Sequence, residues 1–257
     1  MLKLAEEKDL PRIIAFCGGS LLGTYLACRA QCYGTAYDFV RFWYASYDET
    51  LHAVIGSIDG AAVLLADAEA DPAELQAFLR MQGFSSVMTN EETAVRCGLA
   101  VTERKTAFRF AGTAVQAEPT AQSAEMKDVY TLISRCIPGS FDNTKEAYLR
   151  FLSDFTFRKN RNAARLSAVL DNGVLQGCAL TAAETKTAAV LSGVAVDASV
   201  RKTGLGRRVV LSLVHTLQAA GKDVYVIALN KSAETFYQRI GFEKTETICY
   251  MEGLSDV

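Results

Sequence analysis

Apolar positions recur along this chain with two periods. Leu205, Val209, Leu213 and Leu217 fall four residues apart and make one stripe of an amphipathic helix over 205–220. Val224-Tyr225-Val226-Ile227-Ala228-Leu229, behind Lys222-Asp223, is a short buried strand. Read this way, the second half predicts helices over 126–136 and 144–155, then strands over 164–171, 174–182 and 187–196. The helix 205–220, a strand 223–229, a helix 231–240 and a last strand from 243 follow. Such alternation predicts a mixed sheet with helices packed on it.

The first half carries similar signals. Glu7-Lys8-Asp9-Leu10-Pro11 opens it as Met126-Lys127-Asp128-Val129 opens the second, each a polar cap before an amphipathic helix. Leu51 to Ile58 runs as a strand into Asp59-Gly60, and Leu166 to Leu170 runs likewise into Asp171-Asn172-Gly173. The stretch from Ala94 to Gly98-Leu99 parallels that from Ala233 to Gly241-Phe242. With these landmarks paired, the first half is shorter by one strand and one loop. Residues 113–124, poor in large apolar side chains and holding Pro119, form the linker candidate, so the expected division is 1–115 and 116–257. The bland alternative is two unrelated α/β modules sharing common local signals.

Composition narrows the chemistry. The chain has 257 residues, 50% apolar and 22% charged, with a formal net charge of −2, which gives no support to a nucleic-acid or membrane-surface partner. The charged N-terminal stretch lacks a signal-peptide core, and no apolar run approaches the roughly 20 residues that cross a bilayer. Seven scattered cysteines without a CxxC pair read as reduced core thiols of a cytoplasmic protein, with no metal site. Two histidines, His52 and His215, leave little room for histidine chemistry. Arg158, Lys159, Arg161 and Arg165 cluster; such a run is usually a solvated loop, and the alternative is contact with an anionic ligand. Seven aromatics between Tyr33 and Tyr47 read as core before interface or acceptor pocket.

Arg201-Lys202-Thr203-Gly204-Leu205-Gly206 stands between the strand ending at Val196 and the long helix. A helix start presents unpaired N–H groups and a positive dipole end, which suits a pyrophosphate. Gly204 and Gly206 allow close approach to the backbone. Arg201, Lys202 and Arg207 add positive charge. One strand later comes Asn230-Lys231-Ser232-Ala233, then Tyr237 and Gly241-Phe242.

These two motifs, in this order, resemble the R-x-x-G-x-G loop and the N-x-x-A-x-x-x-Y-x-x-x-G-F segment of the GNAT superfamily of acyl-CoA N-acyltransferases. The resemblance is direct over about 187–250 and looser over the first half. It implies an α/β (mixed α+β) fold of two GNAT-like halves, the first degenerate, each a mixed, largely antiparallel sheet with flanking helices. It further implies acetyl-CoA as cosubstrate and transfer to an amine, of a small molecule or peptide, by direct attack in a ternary complex. In the family pattern Val194 and Val196 would pair with the pantetheine arm, and the backbone of Lys202, Thr203, Gly204, Leu205, Gly206 and Arg207 would hold the pyrophosphate. Asn230 would help fix the pantetheine, Ala233 lies in the same segment, and Tyr237 would protonate the leaving thiolate. The Val196 N–H would polarise the thioester carbonyl. The family's frequent glutamate falls at about Val190, where this chain has no carboxylate. The base is therefore open between a water chain, Glu252 and a residue of the first half. A non-catalytic CoA-binding sensor is the second reading, and an adaptor built on the aromatic stretch the third.

Overall fold

A computed structural model describes residues 1–113, 120–139, 141–142 and 144–253. Half of the linker candidate, residues 114–119, and with it the division at 115/116, lie outside the described residues. In chain order the elements are β1 (Lys3–Leu4), α1 (Leu10–Cys17), α2 (Leu21–Tyr33), β2 (Val40–Tyr47), β3 (Thr50–Ile58), β4 (Ala61–Ala66), α3 (Pro72–Gln82), β5 (Ser86–Asn90), α4 (Glu91–Arg96) and β6 (Glu103–Phe110). Then follow α5 (Met126–Cys136), α6 (Lys145–Lys159), β7 (Leu166–Asp171), β8 (Val174–Glu184), β9 (Ala188–Val196), α7 (Leu205–Ala219), β10 (Asp223–Ile227), α8 (Lys231–Arg239) and β11 (Phe242–Glu252). None of the described helices is long and apolar enough to cross a membrane.

The chain forms two compact units that are not contiguous in sequence. One comprises Met1–Phe108, Ile227–Thr235 and Lys244–Val257; the other comprises Arg109–Val226 and Phe236–Glu243. In the first, β1 to β5 are neighbours in that order, and β11 lies antiparallel beside β5, with Ile248 opposite Asn90 and Glu252 opposite Ser86. Cys249 and Met251 thereby enter a core with Trp43, Ile55, Leu64, Leu75, Leu79, Phe84 and Val87. In the second, the order is β10-β9-β8-β7, and Val129, Leu132, Ile133, Phe155, Leu166, Cys178 and Leu180 fill the core. The β4/β5 and β9/β10 pairs are parallel; β2, β3 and β4, like β7, β8 and β9, pair antiparallel.

Each unit thus runs helix pair, three antiparallel strands, crossover helix, parallel strand, short helix. That shared order corrects the pairing of landmarks by sequence. The Asn172-Gly173 turn joins β7 to β8, so its counterpart joins β2 to β3, at Asp48-Glu49, rather than lying at Asp59-Gly60. All three hairpins turn through two positive-φ residues, as two-residue type I′ turns require, so the wrong one matched equally well. No strand is missing from the first half. Its crossover is simply shorter.

The aromatic stretch divides. Tyr33, Phe42, Trp43 and Tyr44 are core, Trp43 edge-on to Phe78 and Phe84, while Tyr37 and Phe39 are exposed. His52 binds Asp67 through Nδ1 at 3.0 Å and stacks on Tyr47, whereas His215 is exposed on α7.

Candidate functional site

The site is built on β9. Its parallel pairing with β10 begins at Ala188↔Asp223 and ends at Leu191↔Val226, while β9 itself continues to Val196. From Ser192 onward β9 is paired only with β8. A β-bulge opens this gap: between the pairs Cys178↔Ala195 and Leu180↔Ser192, β9 spends one residue more than β8. Bulges bend the strand and raise its local twist. Gly193 takes the bulge position at φ +57, and a Cβ there would stand 2.8 Å from both Ile133 and Leu180 side chains. Only glycine suits that combination. A Ser-Gly pair inside an apolar strand run was the available signal for it.

The last peptide of β9 has a defined orientation. Asp197 N–H donates to the Gln176 carbonyl on β8 at 2.8 Å, so the Val196 carbonyl, on the opposite side of that peptide, faces the opened edge. There it accepts from Arg201 Nε at 3.2 Å and from the Cys136 thiol at 3.3 Å. In extended backbone a residue's N–H and C=O share one edge, so the Val196 N–H faces the opening as well. Arg201, expected from sequence to stand by as loose charge, instead ties the loop back onto the strand.

Beyond β9 the chain makes a tight turn. Asp197 accepts from Ser199 N–H (2.9 Å) and Ser199 Oγ (2.7 Å), which hold its carboxyl below the usual range, and pairs with Arg135. Lys202 at φ +66 and Gly204 at φ +91 then take the chain through two left-handed positions to the start of α7. Gly204 is the N-cap of α7 and supplies no side-chain cap, so the first amides of the helix have no acceptor from it. Arg201, Lys202, Thr203, Gly204 and Arg207 are exposed, and Leu205 and Gly206 half-buried.

Val196, Gly206 and the aromatic end of α8 converge. A Cβ on Gly206 would lie 3.5 Å from Val196 Cγ2 and 3.7 Å from the Phe236 ring. Tyr237 follows, edge-on to Phe236 (5.2 Å) and Phe242 (5.4 Å) and only 6% exposed. Burial pushes its hydroxyl above the ordinary value of 10.0, so it stays protonated. Val194 is half-buried on the same open stretch of β9. Asn230 caps α8, accepting from Ala233 N–H at 3.0 Å, and both belong to the segment 227–235 of the first unit. Glu252, considered as a base, is exposed at the end of β11 opposite Ser86. Val190, where the family often has glutamate, is wholly buried.

A helix pair, an antiparallel run, one parallel crossover and a bulged, opened strand together define a GNAT-type fold. The solved structures agree. An acetyltransferase from the GNAT family of Colwellia psychrerythraea matches with a TM-score of 0.60 at 13% identity, over 98% of this chain and 99% of that one. A tandem GNAT protein from the clavulanic acid biosynthesis pathway matches with 0.62 at 14%, over 98% of both chains. A GCN5-related N-acetyltransferase from Sphaerobacter thermophilus gives 0.61 at 14%, over 98% of this chain and 95% of that one. At these identities the likeness is one of fold. Within the sequence, residues 173–251, from the β7–β8 turn to the end of β11, match the family model of FR47-like protein. No curated protein matches the chain.

Proposed function

We propose that the second half is an N-acetyltransferase module that takes acetyl-CoA as cosubstrate and passes the acetyl group to an amine. The observation that carries this is the edge of β9 beyond Leu191, unpaired with β10 and followed by a glycine-bearing loop at the uncapped start of α7. An extended pantetheine arm can add to such an edge as a strand would. The pyrophosphate then falls at the amides of Lys202 to Arg207, where the α7 dipole is positive. Asn230 and Ala233, at the start of α8, belong to the pantetheine-binding segment in this reading.

The reaction is direct attack. The amine nitrogen bonds to the thioester carbon, the carbonyl oxygen gathers charge, and the Val196 N–H, already turned to the edge, stabilises it. The C–S bond breaks and the thiolate takes a proton from Tyr237, while the amine's proton leaves to a base. An ordinary alkylamine has a pKa of about 10.4, so it must lose a proton before it attacks. A buried tyrosine is a weak acid, but burial raises a thiolate's proton affinity too: Cys178 of this chain is pushed up to about 12 by burial. With a wholly buried Val190 in place of a carboxylate, solvent is the proton's route from the amine.

Thermal denaturation with acetyl-CoA tests the module. A ligand selective for the native state raises Tm, by the equivalent of about 2.7 kcal/mol at a hundred times Kd. Gly206→Trp should abolish that shift by putting a side chain where the pyrophosphate would sit, and the variant's own unfolding transition without acetyl-CoA checks that it is folded. An unchanged Tm in the parent protein would remove the proposal. Binding without transfer to any of a broad panel of amines would select the sensor.

A further inference from the structure

The basic stretch at the end of α6 distributes its four charges unequally. Arg158 is buried, donating to Asp154 at 2.6 Å and to the Thr181 carbonyl at 3.2 Å. Arg161 lies 3.5 Å over the Phe157 ring. The other two, Lys159 and Arg165, wall a cavity of about 240 Å³ in the second unit, between the start of β7 and the middle of α7.

Three hydroxyls meet on the same wall: Thr120 Oγ1 is 2.9 Å from Ser167 Oγ and 2.8 Å from Ser212 Oγ. Each hydroxyl has one proton, so the two internal bonds leave one donor and several lone pairs for an occupant. No carboxylate is among the described lining residues. Arg165 is oriented from behind, its Nε donating to Glu184 Oε1 at 2.8 Å; Lys222 Nζ reaches the same oxygen at 2.6 Å. The Glu184 side chain is wholly buried, and its Oε2 has no hydrogen-bond partner. A buried carboxylate held this way adds little to stability. What it does achieve is a fixed guanidinium whose remaining donors are available to a ligand, in a trio that still carries net positive charge.

We propose that this cavity binds a small phosphomonoester, with Lys159 and Arg165 on the phosphate and the hydroxyl cluster completing its shell. Two cations and a hydroxyl donor suit a dianion with three terminal oxygens better than a monocarboxylate. The volume falls below the roughly 300–1,000 Å³ of sites for drug-sized ligands, which restricts the occupant to a small metabolite. The site is separate from the pyrophosphate loop. Ser212 and Thr216 lie roughly 10–17 Å along α7 from Leu205, at about 1.5 Å per residue.

Calorimetric titration of the full chain with glycerol 3-phosphate, at fixed ionic strength and with glycerol as the neutral control, tests this. One site per chain is expected, retained when acetyl-CoA is present in excess. Lys159→Glu, at an exposed position, should weaken it by roughly ten-fold or more, a change of about 1.4 kcal/mol or above. Absence of binding, undiminished binding in Lys159→Glu, or displacement by acetyl-CoA would each overturn the assignment. The phosphate arm needs no activity and no acetyl-CoA site, so its failure is distinct from failure of the transferase reading.

Discussion

The two crossovers of this chain start from the same plan and end differently. In the first unit β4 pairs with β5 through Ala61, Ala62 and Val63 and then overhangs to Ala66, as β9 overhangs β10. That overhang is short and plugged. The hydroxyl of Thr89, wholly buried, donates at 2.9 Å to the carbonyl of Leu64, the first residue past the last β4/β5 pair, whereas on β9 the side-chain bonds from Arg201 and Cys136 fall at Val196, well beyond Leu191. β4 pairs with β3 in unbroken register and has no bulge. Asp71 then caps α3 with its own carboxylate, accepting from Ala73 N–H (2.9 Å) and Glu74 N–H (3.3 Å). Gly204 caps α7 with nothing. One helix start is capped by its own carboxylate, and the other is the one to which the proposed reading assigns the pyrophosphate. The contrast teaches that a degenerate site need not lose its strands. Here a hydroxyl stands at the edge and a carboxylate at the cap.

The contrast also reaches the reacting end, and there the largest effect is expected. α8 carries Tyr237, while α4, Glu91–Arg96, contains no tyrosine. Tyr237→Phe keeps the ring and removes one hydroxyl, so CoA release with an amine panel should slow by roughly 10²–10⁴-fold, with acetyl-CoA affinity within a few-fold. Burial holds the hydroxyl above 10.0, so no loss of rate traceable to Tyr237 should appear between neutral pH and about 10. Equal turnover in parent and variant would show that water delivers the proton.

Next in size is the stoichiometry. If the capped α3 and the plugged β4 are closed, titration with acetyl-CoA should saturate at one per chain; a value near two would break the comparison. The smallest effect belongs to Thr89→Val, which opens the edge of β4 without changing side-chain volume much. It should lower stability by about 1–3 kcal/mol, the usual result of stranding a buried acceptor, and leave the acetyl-CoA shift as it was. Chemical denaturation reads the first quantity and thermal shift the second.

The second half was legible almost element by element, because its helices and strands have clear periods. Helix 126–136 and the start of helix 205–220 fall at their sequence positions. The glycine loop was legible because its residues are adjacent in sequence. What periodicity could not supply was pairing. Three type I′ turns look alike locally, so the hairpins were matched one strand out of step. The bulge at Gly193 depends on which residues of β8 lie opposite, and the return of Arg201 to Val196 depends on a loop conformation. The cavity behind Lys159 joins residues from Thr120 to Thr216, a set that no window along the chain would collect.

β11 has a consequence for the order in which the molecule can be made. It is the strand beside β5, yet it emerges from the ribosome only after every core strand of the other unit. Until then β5 presents a bare strand edge flanked by apolar surface that Cys249 and Met251 will later cover. The first unit is therefore begun first and finished last. During translation it depends on a segment that has not yet been synthesised, and severing the chain near residue 115 would leave that dependence permanent.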